Sequence, residues 1–294
     1  MSHLQSVRLR LLFFGTPQFA VATLDAIARE HEIALVVAQP DQPAGRGMRV
    51  QAPAVGVRAR ELGLPVAQPA KIRDFVAPPA DAAIVVAYGK ILPAALLATM
   101  PFYNVHASLL PKYRGAAPIQ RAIEHGERET GVTIMRVDEQ LDHGPMLAAA
   151  RTPIDPDEHT PAVAARLSTL GAAALLRVLR ERPPEVEQDH ARATLAPKIQ
   201  KEEGRVRWSE PARAIYDKFR AFDPWPGIFT ESLKLIDVAP VSGTGEPGSV
   251  IAIDDGVVVA CGEGALRIRT IQRAGKPRVS AADAARAERW RVIP

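Results

Sequence analysis

Residues 102–120 read FYNVHASLLPKYRGAAPIQ, an alternating apolar–polar run that passes abruptly into a loop rich in Ser, Pro and Gly. This pattern predicts a strand that ends near His106. Asn104 and His106 lie two positions apart, so a strand directs both side chains to one face. Open α/β sheets bind ligands at the carboxyl ends of their strands. Since an amide can stabilise an oxyanion and an imidazole can move protons, the pair is a candidate catalytic site, with an ordinary surface histidine as the alternative.

The N-terminal half predicts a doubly wound, mostly parallel sheet. Residues 8–14 (RLRLLFF) predict a strand, residues 17–30 a helix, and residues 33–39 (IALVVAQ) a strand buried on both faces. Residues 82–87 (AAIVVA) predict a further buried strand. The turn after the first strand reads GTPQ and not G-x-G-x-x-G, which excludes a dinucleotide site.

Two loops carry further candidate residues. Residues 39–53 (QPDQPAGRGMRVQAP) hold three prolines and two arginines, which predicts a long irregular loop with no regular element. Arg46 and Arg49 in that loop are candidates for phosphate contacts, and a surface insertion is the alternative. Asp142, in the tetrapeptide DHGP, is a candidate carboxylate partner for an imidazole, or simply a turn residue.

Composition indicates a cytoplasmic globular protein with no membrane partner. The chain has 294 residues, 47% hydrophobic and 24% charged, and we find no apolar run near the ~20 residues that span a bilayer. A lone cysteine, Cys261, excludes an internal disulfide and fits a reducing compartment. No cluster of metal-ligand residues is evident. The net charge of +4 permits a nucleic-acid partner without requiring one.

The C-terminal part predicts a second domain. After Pro183 and Pro184 the chain becomes polar, and five short strands with Gly or Asp turns follow between residues 227 and 272, which predicts a small β-barrel of the oligonucleotide-binding type. We therefore expect a catalytic domain at 1–188, a linker at 189–204 and a barrel domain at 205–294. Residues 264–282 contain no Asp or Glu. Their basic residues are candidates for contacts with nucleic acid, or form a solvated face: Arg267, Arg269, Arg273, Lys276 and Arg278.

Taken together, these stretches resemble the methionyl-tRNA formyltransferase family, within the 10-formyltetrahydrofolate-dependent transformylases. The resemblance covers nearly the whole chain. It rests on FFGTPQFA (13–20), QPDQPAGRG (39–47), AYGKILP (87–93), NVHASLLPKYRGAAPI (104–119), LDHGPML (141–147), FDPWPG (222–227) and ACGEGALRI (260–268).

The resemblance implies a Rossmann-like catalytic domain that transfers a formyl group from 10-formyltetrahydrofolate to the amino group of methionyl initiator tRNA, without a metal and with no obligate protein partner evident. It places the catalytic trio at Asn104, His106 and Asp142. It implies folate contacts at Ser108, Leu109, Leu110 and Pro111, and a pterin pocket lined by Tyr88, Gly89, Lys90, Ile91 and Leu92, although ordinary core packing would suit Ile91 and Leu92 equally. The Arg46 loop and the basic barrel would hold the acceptor arm.

His143 departs from the resemblance, because the residue after the loop aspartate is usually small or Thr. Three alternatives stay open at this point: a formyltransferase acting on a small amine, a hydrolase that deformylates the folate, and an RNA-binding module on an inactive scaffold. The glycine- and serine-rich first loop of purine-pathway relatives is absent, a hydrolase would not need the basic barrel, and an inactive scaffold need not keep all three catalytic candidates.

Overall fold

The computed structural model describes residues 8–44 and 49–294, with the side chains of residues 43, 44 and 49 outside the description. The chain divides into two compact units. The first comprises Met1–Pro118, Glu129–Pro153 and Ala164–Pro197, and the second comprises Ile119–Arg128, Ile154–Val163 and Lys198–Pro294. The predicted domain limits at residues 188 and 205 stay predictions.

The elements up to residue 181 are, in chain order, β1 (Arg10–Gly15), α1 (Val21–Glu30), β2 (Glu32–Val37), β3 (Gln42–Ala44), β4 (Arg49–Gln51), α2 (Ala54–Glu61), β5 (Val66–Ala67), β6 (Ala82–Val86), α3 (Ala94–Leu97), β7 (Phe102–His106), α4 (Pro118–Glu124), β8 (Glu129–Arg136), β9 (Met146–Pro153) and α5 (Thr160–Glu181). Those that follow are α6 (Ala212–Ala221), β10 (Ile228–Phe229), β11 (Leu233–Val241), β12 (Val250–Ile253), β13 (Val257–Ala260), β14 (Ala265–Arg273), β15 (Arg278–Ser280) and α7 (Ala281–Glu288).

The sheet of the first unit has the order β5-β2-β1-β6-β7-β8-β9, and its first five strands run parallel. Strands β8 and β9 are antiparallel to their neighbours. This confirms the mostly parallel sheet. The chain winds outward from β1 to β5 and then resumes at β6 on the other side of β1. The carboxyl ends of β1 and β6 therefore flank the point where strand order reverses, which is where open sheets bind ligands. Strand β7 lies next to β6.

One face of this sheet carries a cluster of aromatic side chains. The ring of Phe14 packs against Phe75, Tyr88 and Phe102 at centroid distances of 5.9, 5.5 and 5.6 Å. Since successive side chains of a strand alternate between faces, Phe102, Asn104 and His106 share that face of β7. Asn104 and His106 thus follow the buried Phe102 along the same face, up to the end of the strand.

The expectation of a long loop without regular structure at residues 39–53 was wrong. Strands β3 and β4 form an antiparallel ribbon, with Gln42 opposite Gln51 and Ala44 opposite Arg49. A two-stranded ribbon pairs each strand on one edge only, so it can accommodate Pro43, which lacks an N–H donor. Arg46, between the two strands, lies outside the described residues.

Helix α5 covers the opposite face of the sheet. By length and composition it is apolar enough to cross a membrane, and half of its most apolar window is buried within the protein, as in the core helix of a globular fold. Gly171 allows a close approach to β7, because a Cβ built there would lie 2.6 Å from Cγ1 of Val105.

The second unit is an antiparallel sheet of six strands packed against two helices. Its order is β10-β11-β14-β13-β12, and β15 pairs with β14. Ile215 and Tyr216 of α6 and Ala285 of α7 join the buried side chains of the strands in one core. Cys261 lies in this core, and burial raises the pKa of its thiol to about 11, which fits a packing role. The antiparallel domain is confirmed, whereas its closure into a barrel remains a prediction.

The contact between Gly171 and Val105 predicts a destabilising effect of Gly171→Ala. Val105 is buried and β-branched, so it cannot rotate away from a new methyl group without strain, and we expect a loss of about 1–3 kcal/mol in the free energy of unfolding. Urea denaturation measures this change.

Gly56→Ala in α2 is the matched control. The nearest atom to a Cβ there is 3.5 Å away, an ordinary contact, so the higher helix propensity of alanine should raise stability by up to about 1 kcal/mol. Equal gains at both positions would contradict the packing of α5 on β7.

Candidate active site

The end of β7 and the loop between β8 and β9 meet at a carboxylate. Asp142 Oδ1 accepts a hydrogen bond from Asn104 Nδ2 at 3.3 Å, and Asp142 Oδ2 lies 3.7 Å from His106 Nδ1. The structure thus brings together the three residues that the sequence proposed as a catalytic trio. The His106 ring is buried and Asp142 is largely so, which limits competition from water for these contacts.

The second nitrogen of His106 is committed to the backbone. His106 Nε2 lies 2.9 Å from the carbonyl oxygen of Tyr113. A carbonyl only accepts, so Nε2 carries the hydrogen and donates it. This leaves Nδ1 as the nitrogen available for chemistry. The 3.7 Å distance from Nδ1 to Asp142 exceeds the usual limit of a direct hydrogen bond, so a reacting group can take up a hydrogen bond there.

The loop after β7 supplies a third contact to Asp142. The N–H of Gly115 donates to Asp142 Oδ2 at 2.8 Å. Gly115 has φ +126°, and a Cβ at this position would lie 2.7 Å from the carbonyl oxygen of Ala196. Only glycine combines this backbone conformation with so close an approach.

Residues 194–196 hold that loop in place through the backbone. The N–H of Arg114 donates to the Thr194 carbonyl at 2.8 Å, and the N–H of Ala196 donates to the Arg114 carbonyl at 2.7 Å. The Thr194 hydroxyl accepts from the N–H of Tyr113 at 2.9 Å. Part of the polar segment that the sequence suggested as a linker is therefore paired with the loop beside the catalytic candidates.

The four predicted folate-contacting residues after β7 form a fixed turn. Ser108 is fully buried, and its hydroxyl donates to the carbonyl of Lys112 at 2.6 Å. The hydroxyl of Thr133 donates to the Ser108 carbonyl at 2.7 Å and accepts from the N–H of Leu110 at 3.1 Å. The Leu110–Pro111 peptide is cis. Leu109 is partly exposed.

The predicted pterin-pocket residues differ in their surroundings. Tyr88 belongs to the aromatic cluster and Leu92 is buried in the same hydrophobic core, whereas the side chain of Ile91 is 82% exposed. Gly89 has φ +79°, and Lys90 Nζ donates to the carbonyl of Ala70 at 3.3 Å.

The Tyr88 backbone marks the point where strand order reverses. Its carbonyl accepts from Thr16 Oγ1 at 3.0 Å and from Gln39 Nε2 at 2.7 Å. These bonds fix the ends of β1, β2 and β6 together at the ligand-binding edge of the sheet.

His143 does not face the trio. Its Nδ1 lies 2.7 Å from Asp138 Oδ2, and its ring stacks on that of His190 at a centroid distance of 4.1 Å. The residue that departs from the family pattern is therefore held by partners of its own.

Three arginines of the basic run are paired with acids from other parts of the second unit. Arg267 Nη2 lies 2.8 Å from Asp254, Arg269 Nε 3.2 Å from Asp255, and Arg273 Nη2 2.7 Å from Glu288. Among the residues that the structure describes, Lys276 and Arg278 are exposed and have no acidic partner within 4 Å. Arg46 and the Arg49 side chain lie outside the description.

Several groups that build the site could not be predicted from the sequence. The Tyr113 carbonyl and the Gly115 N–H act through the backbone, so no residue type could reveal them. Gln188 is buried and hydrogen-bonded to the carbonyl oxygens of Asp142 and Gly144, yet it stands 46 residues after Asp142 in a polar stretch without a pattern. Thr133 gave no signal beyond its place on an alternating strand.

Comparison with known proteins identifies the family of the chain. The profile of the family described as Formyl transferase matches residues 8–179, and that of Formyl transferase, C-terminal domain, matches residues 198–289. The methionyl-tRNA formyltransferase of Anaeromyxobacter dehalogenans is 46% identical, over 97% of this chain and 99% of its own length. That of Thermus thermophilus is 46% identical over 95% of this chain and 96% of its own length.

Solved structures share the fold at lower identity. An N-formyltransferase from Helicobacter canadensis, in complex with folinic acid and dTDP-3-aminofucose, matches with a TM-score of 0.69 and 16% identity, over 88% of this chain and 98% of its own. HypX from Aquifex aeolicus, in complex with tetrahydrofolic acid, matches with a TM-score of 0.62 and 22% identity, over 95% of this chain and 47% of its own.

The matched profiles span most of the chain, and the relatives are 46% identical over nearly its full length. The chain belongs to the methionyl-tRNA formyltransferase family.

Proposed function

We propose that this enzyme transfers the formyl group of 10-formyltetrahydrofolate to the free amino group of methionyl initiator tRNA, in the cytoplasm. The observation that carries the proposal is the single carboxylate of Asp142, which faces both Asn104 and His106 at the ligand-binding edge of the sheet. The named relatives at 46% identity favour a tRNA-bound amine over a small-molecule amine.

The first role in the reaction is the stabilisation of negative charge. As the amine adds to the formyl carbon, the formyl oxygen gains charge. A side-chain amide has two N–H groups, and Asn104 uses one for Asp142, so the other can donate to that oxygen. His106 in its protonated form donates from Nδ1. Preorganised donors of this kind in a buried site supply a large part of catalysis in acyl transfer.

The second role is proton movement. The attacking amine must lose a proton, and the departing N10 of the folate must gain one. Asp142 Oδ2 can accept the proton from the amine and deliver it, through a water, to N10, while its charge 3.7 Å from His106 Nδ1 favours the protonated imidazole. The Gly115 N–H keeps that oxygen oriented. The proposed mechanism needs neither a covalent intermediate on the protein nor a metal.

We propose that the fixed turn Ser108, Leu109, Leu110 and Pro111 contacts the folate, and that residues 88–92 line its pterin pocket. The hydrogen bonds of Thr133 support this assignment, because they hold the turn in one shape beside the end of β7. The exposed side chain of Ile91 offers an apolar surface to a flat heterocycle.

For the tRNA we propose phosphate contacts from Arg46 and Arg49 and from the basic run of the second unit. Within that run, Lys276 and Arg278 are the candidates that the structure favours. The charges of Arg267, Arg269 and Arg273 are offset by neighbouring carboxylates.

His106→Ala tests the mechanism. We expect the rate of formyl transfer to charged initiator tRNA to fall by about 10²–10³-fold, since the variant loses a donor that stabilises the charge on the formyl oxygen. A single-turnover assay with formyl-labelled folate measures the rate, and filter binding measures tRNA affinity, which should stay near the wild-type value. His125→Ala, an exposed histidine outside the site, is the control. Turnover of His106→Ala within a few-fold of wild type would refute the mechanism.

A double variant tests the tRNA surface. Replacing Lys276 and Arg278 with Ala should reduce the slope of log K against log salt concentration by about 1–2, because each phosphate contact contributes about 0.7–0.9 to that slope. Equilibrium binding of charged tRNA at several salt concentrations measures this slope.

The charge-matched control replaces Arg29 and Arg177, which are exposed on helices of the first unit. It removes the same net charge and should leave the slope unchanged. If the two double variants had the same slope as wild type, Lys276 and Arg278 would belong to a solvated face.

A further inference from the structure

Gln188 connects the loop of Asp142 to a buried arginine. It is 4% exposed. Its Oε1 accepts from Arg114 Nη2 at 2.6 Å and from Arg114 Nε at 3.2 Å. Its Nε2 donates to the carbonyl of Gly144 at 2.8 Å and to that of Asp142 at 3.0 Å. All the strong hydrogen-bonding capacity of the side chain is thus used within a buried space.

The chemistry of the partners allows only one orientation of this amide. A guanidinium can only donate, so the oxygen of Gln188 must face Arg114. Backbone carbonyls can only accept, so the nitrogen must face Asp142 and Gly144. A flipped amide would place donor against donor and acceptor against acceptor at four contacts. Arg114 therefore fixes the direction in which Gln188 donates.

The backbone that Gln188 holds is strained. Asp142 has φ +48°, in the left-handed region that residues other than glycine rarely adopt. Such a conformation persists where the surroundings enforce it. The direction of the Asp142 carboxylate toward Asn104, His106 and Gly115 depends on this backbone.

Gln188 is itself anchored close to the loop. Two residues earlier, Val186 exchanges two backbone hydrogen bonds with Met146, both at 2.8 Å, at the first residue of β9. The segment that carries Gln188 is thus hydrogen-bonded to the strand that follows the Asp142 loop. It can therefore act as a fixed support for that loop.

We infer that Gln188 is a positioning residue for the catalytic carboxylate. By its bonds to the Asp142 and Gly144 carbonyls it holds Asp142 in the left-handed conformation that aims its carboxylate at Asn104 and His106, and Arg114 sets its orientation. This inference rests on the proposed function for its kinetic consequences, but not for its structural ones.

Gln188→Glu and Gln188→Met separate the two ends of the amide. Glutamate at pH 8 keeps a partner for Arg114 and presents a carboxylate oxygen to the two carbonyls, whereas methionine loses both ends at similar volume. Because small displacements of catalytic groups are costly, we expect kcat to fall by about 10- to 100-fold in both variants. The KM values for folate and for tRNA should change by less than about threefold. Wild-type kcat in Gln188→Glu would show that Gln188 serves only to pair Arg114, and would overturn the inference. If Gln188→Met does not fold, Gln188→Glu decides alone.

Hydrogen exchange of the Gly115 amide gives a readout that does not depend on activity. This N–H donates to the Asp142 carboxylate. In Gln188→Glu it should exchange at least about tenfold faster, while the Ala38 amide, bonded to the Ala67 carbonyl in the same unit, should keep its rate. Unchanged exchange at Gly115 would overturn the inference whatever the activity. A wild-type enzyme that failed to formylate the tRNA would instead overturn the proposed function.

Asp81→Ala is the control for loss of a hydrogen bond as such. Asp81 Oδ2 accepts from the N–H of Arg10 at the amino-terminal end of the same sheet, opposite the site. This variant should show wild-type kcat and wild-type exchange at Gly115. If kcat fell as far in Asp81→Ala as in Gln188→Glu, general loosening of the unit would explain both losses of activity. That result would also overturn the inference.

Discussion

The carboxylate of Asp142 is shared by an amide, an imidazole and a backbone N–H, and the arrangement of the site depends on it. Asn104 and Gly115 donate to different oxygens of the group, and His106 faces one of them. The groups that contact it lie at the end of β7 and in the loop that follows. Asp142 itself lies in another loop, 27 residues after Gly115. Each of these contacts restrains the direction of the carboxylate, so the geometry of the site depends on their staying in position. The surrounding structure holds these elements in place. Gly171 lets α5 pack closely behind β7, and residues 194–196 are hydrogen-bonded to the loop that follows β7.

The polar pair on β7 could be predicted from the sequence because strand geometry relates spacing directly to orientation. Asn104 and His106 are separated by one residue, so on a strand they share a face. The loop-forming sequence that follows places them at the end of the strand. The third member could not be derived in this way. Its distance along the chain bears no simple relation to its position in space, so the sequence pattern left Asp142 as either a partner for an imidazole or a turn residue, and only the resemblance to a family placed it in the trio. The backbone groups of Tyr113 and Gly115, and the buried amide of Gln188, carry no signature in the sequence at all.

Two regions show why local composition misleads. Residues 264–282 contain no acid, and this suggested an uncompensated positive surface. In the folded unit, antiparallel pairing brings Asp254 and Asp255 of a neighbouring turn, and Glu288 of α7, beside the arginines of β14. Similarly, the prolines of residues 39–53 argued against regular structure, but a two-stranded ribbon tolerates proline on its outer edge. In both cases the deciding partner is distant in sequence.

The most direct measurement of the central role of Asp142 is the single-turnover rate of formyl transfer in Asp142→Asn, with both substrates saturating. Asparagine keeps the size of the side chain but removes its charge and its capacity to accept a proton. We predict a rate about 10²–10³-fold below that of the wild type, with folate and tRNA affinities within a few-fold. Asp138→Asn, in the same loop but paired with His143, should react at the wild-type rate. If Asp142→Asn transferred the formyl group as fast as Asp138→Asn, Asp142 would have no central role in the reaction.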